Sequence, residues 1–289
     1  MNDFRLVHLP YFLYIEKDIQ KMGKISKLIF LIRGKIIGFI LSNSSDKFFT
    51  YFANIFLNFK NKLYIENNLI FVQEDQKRYY FPNLFRALVY LNGFSKIHQL
   101  FLESYCIDKI ELTSDDIVVD CGANIGELNL ALRNSNISVN YIAFEPEEST
   151  FLCLELNNLE TNSKLYCLGL SDETTKKTFF LDSVGANSSF EDFGKGIKIE
   201  VNTTKLDDLN IEKIKLYKMD AEGHELEALR GSEKTLNNTE YVSVDFGNEK
   251  GIKQEHTIVS VNNYLFSRGF ELCEYSNSRM VGLYKNTKI

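Results

Sequence analysis

Four short apolar runs in the later part of the chain each stop at or beside a carboxylate: IVVD at 117–120, YIAFE at 141–145, IKLYKMD at 214–220 and YVSVDF at 241–246. Stretches with helical periodicity follow them, at 122–133, 149–158, 222–236 and 258–268, the last stopped by Gly269. KLYCLGL at 164–170 reads as a further core strand, 177–181 and 197–203 as an inserted strand pair, and 270–275 and 280–284 as two closing strands with no helix between them. Buried strands alternating with helices predict an α/β unit, a parallel sheet covered on both faces. Sheets of this kind bind their ligands beyond the carboxyl ends of the strands, where these acids stand.

The first part of the chain has a different texture. Residues 48–59 (FFTYFANIFLNF) predict a buried helix, 62–72 two short strands around Asn67-Asn68, and Pro82 opens a helix that Gly93 ends. We therefore expect two domains, a mainly helical 1–97 serving acceptor, dimer or surface contacts, and 98–289 carrying the sheet. Charge divides the same way, because residues 1–110 hold 15 Lys/Arg against 9 Asp/Glu in a chain of net charge −6. With so acidic a remainder, a nucleic-acid partner is not expected, since phosphate binding needs a basic face. The apolar stretch 25–41 (ISKLIFLIRGKIIGFIL) is interrupted by Lys27, Arg33 and Lys35, short of a clean span of about 20 residues. It reads first as a helix packed on its own domain. A peripheral membrane contact through the basic N-terminal region, or a homodimer contact, is left open. Cys106, Cys121, Cys153, Cys167 and Cys273 show no CxxC spacing and read as reduced thiols of a cytoplasmic, or membrane-associated, protein.

The most informative turn is IVVDCGANIGE at 117–127. The strand delivers Asp120, and Gly122 and Gly126 flank Asn124 at a helix start, where glycine lets a ligand approach the backbone and the helix offers free N–H groups. Glu145 ends the next strand, where a carboxylate can accept both hydroxyls of a ribose, and Pro146 fixes the chain's exit. Ser171 and Asp172 end the third strand, where a hydroxyl or an acid can bond an adenine amino group, although the SD pair alone reads first as an Asx-type turn. This is a nucleoside-type site, and on the residues alone the donor could be a methyl donor or NAD, although GxGxxG is absent.

The blocks VVDCGANIGE (118–127), AFEPEES (143–149) and KMDAEGHELEALRGSEKTL (218–236), with LSD at 170–172 and TTKLDDL at 203–209, resemble the FkbM family of S-adenosylmethionine-dependent methyltransferases. The resemblance covers roughly 98–285 and implies a class I methyltransferase (Rossmann-like) sheet with S-adenosylmethionine as cofactor. It also implies Gly122 and Asn124 beside the donor's methionine portion, Glu145 on the ribose and Asp172 near the adenine.

Asp220, Glu222, His224 and Glu225 crowd the end of the fourth strand. Methylating a hydroxyl requires removing its proton, and a carboxylate or an imidazole can take it. Asp220, His224 and Glu222 are thus the candidate catalytic residues, with His224 nearest neutral pH in its ordinary titration. Asp220 and Asp245, on neighbouring strand ends, are also candidate ligands for a divalent metal such as Mg²⁺. Family association with polysaccharide tailoring implies an O-methyltransferase acting on a sugar or sugar-nucleotide hydroxyl. The acceptor would be covered by the flexible stretch 185–196 (GANSSFEDFGKG), with Lys195 or Lys198 facing a nucleotide. The alternatives are an NAD-type oxidoreductase and a non-catalytic assembly subunit.

Overall fold

The computed structural model describes residues 10, 13, 21–181, 188–192 and 197–289. The chain divides into two compact units, Met1–Phe94 and Ser95–Ile289.

In the first unit, helices α1 (Lys24–Asn43) and α2 (Asp46–Phe56) lead into an antiparallel meander of β1 (Lys62–Glu66), β2 (Leu69–Glu74) and β3 (Lys77–Phe81), then α3 (Leu84–Val89). The β1–β2 turn is Asn67-Asn68, both left-handed at φ 50° and 64°, the backbone a two-residue hairpin needs. Asn83 caps α3 by accepting from the Arg86 N–H at 3.0 Å. Strand β3 was not expected from the sequence, because its KR start hides a two-residue alternation that buries Tyr79 and Phe81. Helix α2 corrects the buried-helix reading of 48–59. Phe49, Thr50 and Ala53 are buried, but Phe48, Tyr51, Ile55 and Phe56 are exposed.

The second unit opens with α4 (Ser95–Ser104). The alternation follows as β4 (Ile117–Cys121), α5 (Glu127–Asn134), β5 (Asn140–Phe144), α6 (Glu148–Asn157) and β6 (Ser163–Tyr166). Next come β7 (Gly169–Leu170), β8 (Lys176–Leu181), β9 (Ile197–Thr204), β10 (Ile214–Met219), α7 (Glu225–Arg230) and β11 (Thr239–Asp245). A short pair, β12 (Asn248–Lys250) and β13 (Glu255–His256), precedes α8 (Ile258–Ser267), β14 (Phe270–Ser276) and β15 (Val281–Asn286). The main sheet has the order β14-β15-β11-β10-β4-β5-β6. Its five central and right-hand strands are parallel, and β15 runs antiparallel to both β11 and β14. Alternate side chains feed two cores. Val119, Phe144, Tyr217 and Val244 pack on one face, and Val118, Tyr141, Ala143 and Leu216 on the other, as a doubly covered sheet requires.

The run at 164–170 splits into β6 and β7 because the chain leaves the main sheet to pair in parallel with β9, which also holds β8. Phe190 packs where a side chain at Gly169 would project, its ring 2.4 Å from that position. The helix expected at 222–236 is shorter, since Glu222 and Gly223 are left-handed, at φ 50° and 96°, and delay its start to Glu225.

Candidate active site

Strand β4 ends in Asp120-Cys121 and the chain turns at once through three left-handed residues, Gly122, Asn124 and Gly126. Gly122 is required by more than its φ of 69°. A Cβ there would lie 1.9 Å from the main-chain oxygen of Asp220, so the turn and the end of β10 touch backbone to backbone. A Cβ on Gly126 would strike Asn158 Nδ2 at 2.6 Å, so α5 can approach α6 only with glycine at this place.

Beneath the turn lies a buried ion pair. Lys218 Nζ is 3.0 Å from Asp120 Oδ1 and donates to the Gly122 carbonyl at 3.0 Å, while Tyr141 Oη donates to Asp120 Oδ2 at 2.5 Å. Burial pushes the Asp120 carboxyl up, and Lys218 and Tyr141 pull it back. Asp120 is therefore a brace under the turn, which Lys218 ties to β10.

Glu145 follows β5 and is buried. Its Oε2 accepts from the Asn124 N–H at 3.0 Å and its Oε1 from the Glu147 N–H at 3.1 Å. Burial nevertheless pushes its carboxyl up to about 7, against the pull of both N–H groups. Each oxygen accepts one of these bonds and keeps capacity for another. The residues thus fit a nucleoside donor, whose two ribose hydroxyls would supply the missing donors to a carboxylate held short of solvation. Pro146 is buried behind it, and its carbonyl lies 3.9 Å from Cys167 Sγ.

Ser171 and Asp172 meet Lys177. Its Nζ donates to Ser171 Oγ at 2.7 Å and to Asp172 Oδ1 at 3.2 Å. Burial opposes the charge on Asp172, but the bonds from Lys177 and Ser171 prevail and hold it below the usual carboxylate range. His224 joins this group. Its Nε2 is 3.0 Å from Ser171 Oγ, its Nδ1 is 3.8 Å from Glu227 Oε2, and Phe190 packs on its ring at 4.7 Å between centroids. Burial drives its pKa down to about 4, so the imidazole is neutral at ordinary pH. The sequence reading set His224 beside Asp220; the structure turns its ring nitrogens to Ser171 and Glu227.

Asp220 meets a different set. Tyr105 Oη donates to its Oδ2, Arg279 donates to the same oxygen at 2.9 Å, and Lys218 Nζ stands 4.0 Å away. Arg279 Nε also donates to Asp245 Oδ2 at 2.5 Å, and its guanidinium lies over the Tyr105 ring at 4.7 Å. One guanidinium therefore bridges the two carboxylates proposed as metal ligands. A cation already stands between them, and the donor set does not fit a divalent metal there. Among the described residues no group of three or more His, Cys, Asp or Glu side chains is arranged to hold a metal. Glu222 is held well above its ordinary range by burial and by the charges of Asp220 and Glu249. Its main-chain carbonyl accepts from Ser189 Oγ.

Tyr105 and Arg279 were absent from the sequence reading. Arg279 has a topological signal. Because β15 runs antiparallel to β11, with Val281 opposite Asp245, the β14–β15 turn must lie at the carboxyl edge of the sheet. Most of the stretch 185–196, including Lys195, lies outside the described residues. Of the portion described, Ser189 and Phe190 face inward onto Glu222 and His224.

The chain belongs to the family described as methyltransferase FkbM domain, whose model matches residues 120–272. It is 27% identical over 176 residues to "Methyltransferase 1" of Beauveria bassiana, covering 50% of this chain and 71% of that protein. It is 29% identical over 161 residues to the "Hexuronic acid methyltransferase AglP" of Haloferax volcanii, covering 54% of this chain and 63% of that protein. A solved structure of methyltransferase FkbM from Methylobacillus flagellatus is similar at 17% identity and a TM-score of 0.43, over 61% of this chain. This chain spans 44% of that one's length. The family membership decides against the oxidoreductase alternative.

Proposed function

We propose that residues 95–289 form an S-adenosylmethionine-dependent O-methyltransferase whose acceptor is a sugar hydroxyl, on a sugar nucleotide or a polysaccharide precursor. One observation carries the reading. A ribose-type carboxylate, Glu145, accepts from the Asn124 N–H of the glycine turn, and the main chain of Asp220, a carboxylate fit to take a proton, packs directly on Gly122 of the same turn. When bound, the donor supplies an electrophilic methyl on a sulfonium. Glu145 would hold the ribose hydroxyls, the 122–126 turn the methionine portion, and Ser171 and Asp172 the base. Asp220 accepts the proton of the acceptor hydroxyl, while Tyr105, Arg279 and Lys218 hold its carboxylate in place. No step passes through a metal, because Arg279 occupies that position.

The sugar class is supported by the Haloferax relative, which is named a hexuronic acid methyltransferase. The test is mass spectrometry after incubation with methyl-labelled donor and a panel of nucleotide sugars and uronic-acid glycans. A labelled methyl ether on a sugar is expected. Label found only on nitrogen, on carbon or on non-sugar acceptors overturns the reading.

A further inference from the structure

Helix α1 is apolar on two opposite sides, and the described residues cover only one of them. Phe30, Leu31, Gly34 and Ile37 are buried, with Leu13 and Met22 packed against Phe30 and Leu31. Ile25, Leu28, Ile29, Ile32, Ile36 and Phe39 are each at least 52% exposed. At 3.6 residues per turn these six fall in one sector about 100° wide, opposite the buried side. This is a continuous apolar stripe along a 20-residue helix, where solvent-facing helices normally carry polar side chains.

The charges beside the stripe select its partner. The helix carries Lys24, Lys27, Arg33 and Lys35 and no acid. Helical geometry places Lys24 and Lys35 along one edge of the stripe and Arg33 along the other, and all three are exposed. No ion pair engages them among the described residues. Cations flanking an apolar face suit a helix lying in the plane of a bilayer, with the stripe among acyl chains and the basic groups at anionic headgroups. A second copy of the helix on this stripe would instead bring like charges together with no acid to offset them. No helix among the described residues is long and apolar enough to cross a membrane, so this contact is with the surface of the bilayer.

We propose that the exposed face of α1 docks this protein on an anionic lipid surface. This goes beyond the methyl-transfer reading and does not depend on it.

The test uses the full chain. It is mixed with vesicles of phosphatidylcholine alone or with added phosphatidylglycerol, and bound protein is read by co-sedimentation. Binding to the anionic vesicles is expected, weakening with added salt. It should fall by about fivefold for each of Lys24, Arg33 and Lys35 replaced by Gln. Leu28→Gln with Ile32→Gln, both at exposed positions, should abolish it without changing the melting transition. The chain contains no Trp, so Ile32→Trp is a single fluorescent reporter, expected to shift to the blue on anionic vesicles. Absence of wild-type binding, binding unaltered by the Gln variants, or an unshifted Trp overturns the proposal. So does a vesicle-free dimer that Leu28→Gln/Ile32→Gln converts to monomer, which would assign the stripe to a second copy.

Discussion

Tyr105 donates its phenolic hydrogen to Asp220, a residue 115 positions further along the chain, on the same carboxylate oxygen that Arg279 holds. Tyr105 is itself fully buried, and its main-chain carbonyl accepts from Ser243 Oγ at 2.7 Å, which anchors it to β11. The carboxylate assigned to the acceptor is therefore oriented from outside the family's own sequence blocks. Tyr105→Phe keeps the ring and removes one charge-assisted bond. We expect a loss of roughly 1.5–3 kcal/mol in denaturant titrations and a turnover about tenfold lower. Donor affinity should be unchanged. An unaltered turnover would show that the orientation of Asp220 is not limiting.

Arg279 keeps Asp220 and Asp245 compatible as charges. In Arg279→Met each carboxylate raises the pKa of the other, so the base is protonated over a wider range of pH. The rising limb of the pH–turnover profile should move to higher pH, with activity recovering in alkali. Arg279→Lys restores charge without the fork that reaches both acids, and should recover only part of the shift. A profile that stays in place in the Met variant would remove Arg279 from this role.

Asp220 and His224 should separate cleanly. Asp220→Asn is expected to lower turnover by roughly 10²–10⁴-fold, the range for a general base, with little change in S-adenosylhomocysteine binding. His224→Ala disturbs Ser171 and its neighbours instead, so donor affinity should weaken severalfold while turnover at saturating donor holds. Calorimetry and initial rates on both variants decide the assignment; the reverse pattern would return His224 to the position of base.

With Glu145 on the ribose as proposed, donor binding should depend on pH. Its carboxyl titrates near 7 rather than 4.5 in the free protein, and ribose hydroxyls favour the charged form. Binding below about 7 must therefore release a proton, and affinity should rise with pH and level off above that value. For stability the sign is opposite. Between 4.5 and about 7 the folded chain holds a proton that the unfolded chain has lost, so this group makes the donor-free protein less stable as pH rises. Glu145→Gln should flatten both slopes and weaken S-adenosylhomocysteine at least tenfold. A wild-type affinity flat across neutral pH would contradict the assignment.

A protein beginning at Ser95 should fold and bind donor, because every residue assigned to donor contacts lies in the second unit. Isothermal titration with S-adenosylhomocysteine is the check. A soluble, folded truncation that fails to bind would mean that the first unit completes the donor site.

Much of this was legible because strand, glycine turn and acid are close in sequence. The run IVVDCGANIGE fixes β4, its turn and the start of α5 by local rules, and Glu145 needs only the parallel alternation to lie beside it. His224 shows where that reasoning stops. Its nearness to Asp220 in sequence suggested a shared task, but the left-handed Glu222 and Gly223 redirect the chain and carry the imidazole to Ser171. Tyr105 and Arg279 come from a helix end before the sheet and a turn after it, and only the strand order brings them to Asp220. The sequence left a membrane contact of α1 open, but only the burial of its other side shows which residues form the exposed stripe.

The contact between Gly122 and the Asp220 carbonyl also limits how this domain can diversify. The turn assigned to the donor and the residue assigned to the acceptor share one backbone joint with no room for a methyl group, and Lys218 donates to the Gly122 carbonyl in it. A change of acceptor that moved this joint would displace the donor as well. New specificities therefore have an easier route through segments that do not form the joint, 188–192, 248–250 and the turn bearing Arg279. A library confined to those loops should yield altered acceptors with donor affinity intact, whereas one that varies 121–124 should yield mostly proteins that no longer bind donor.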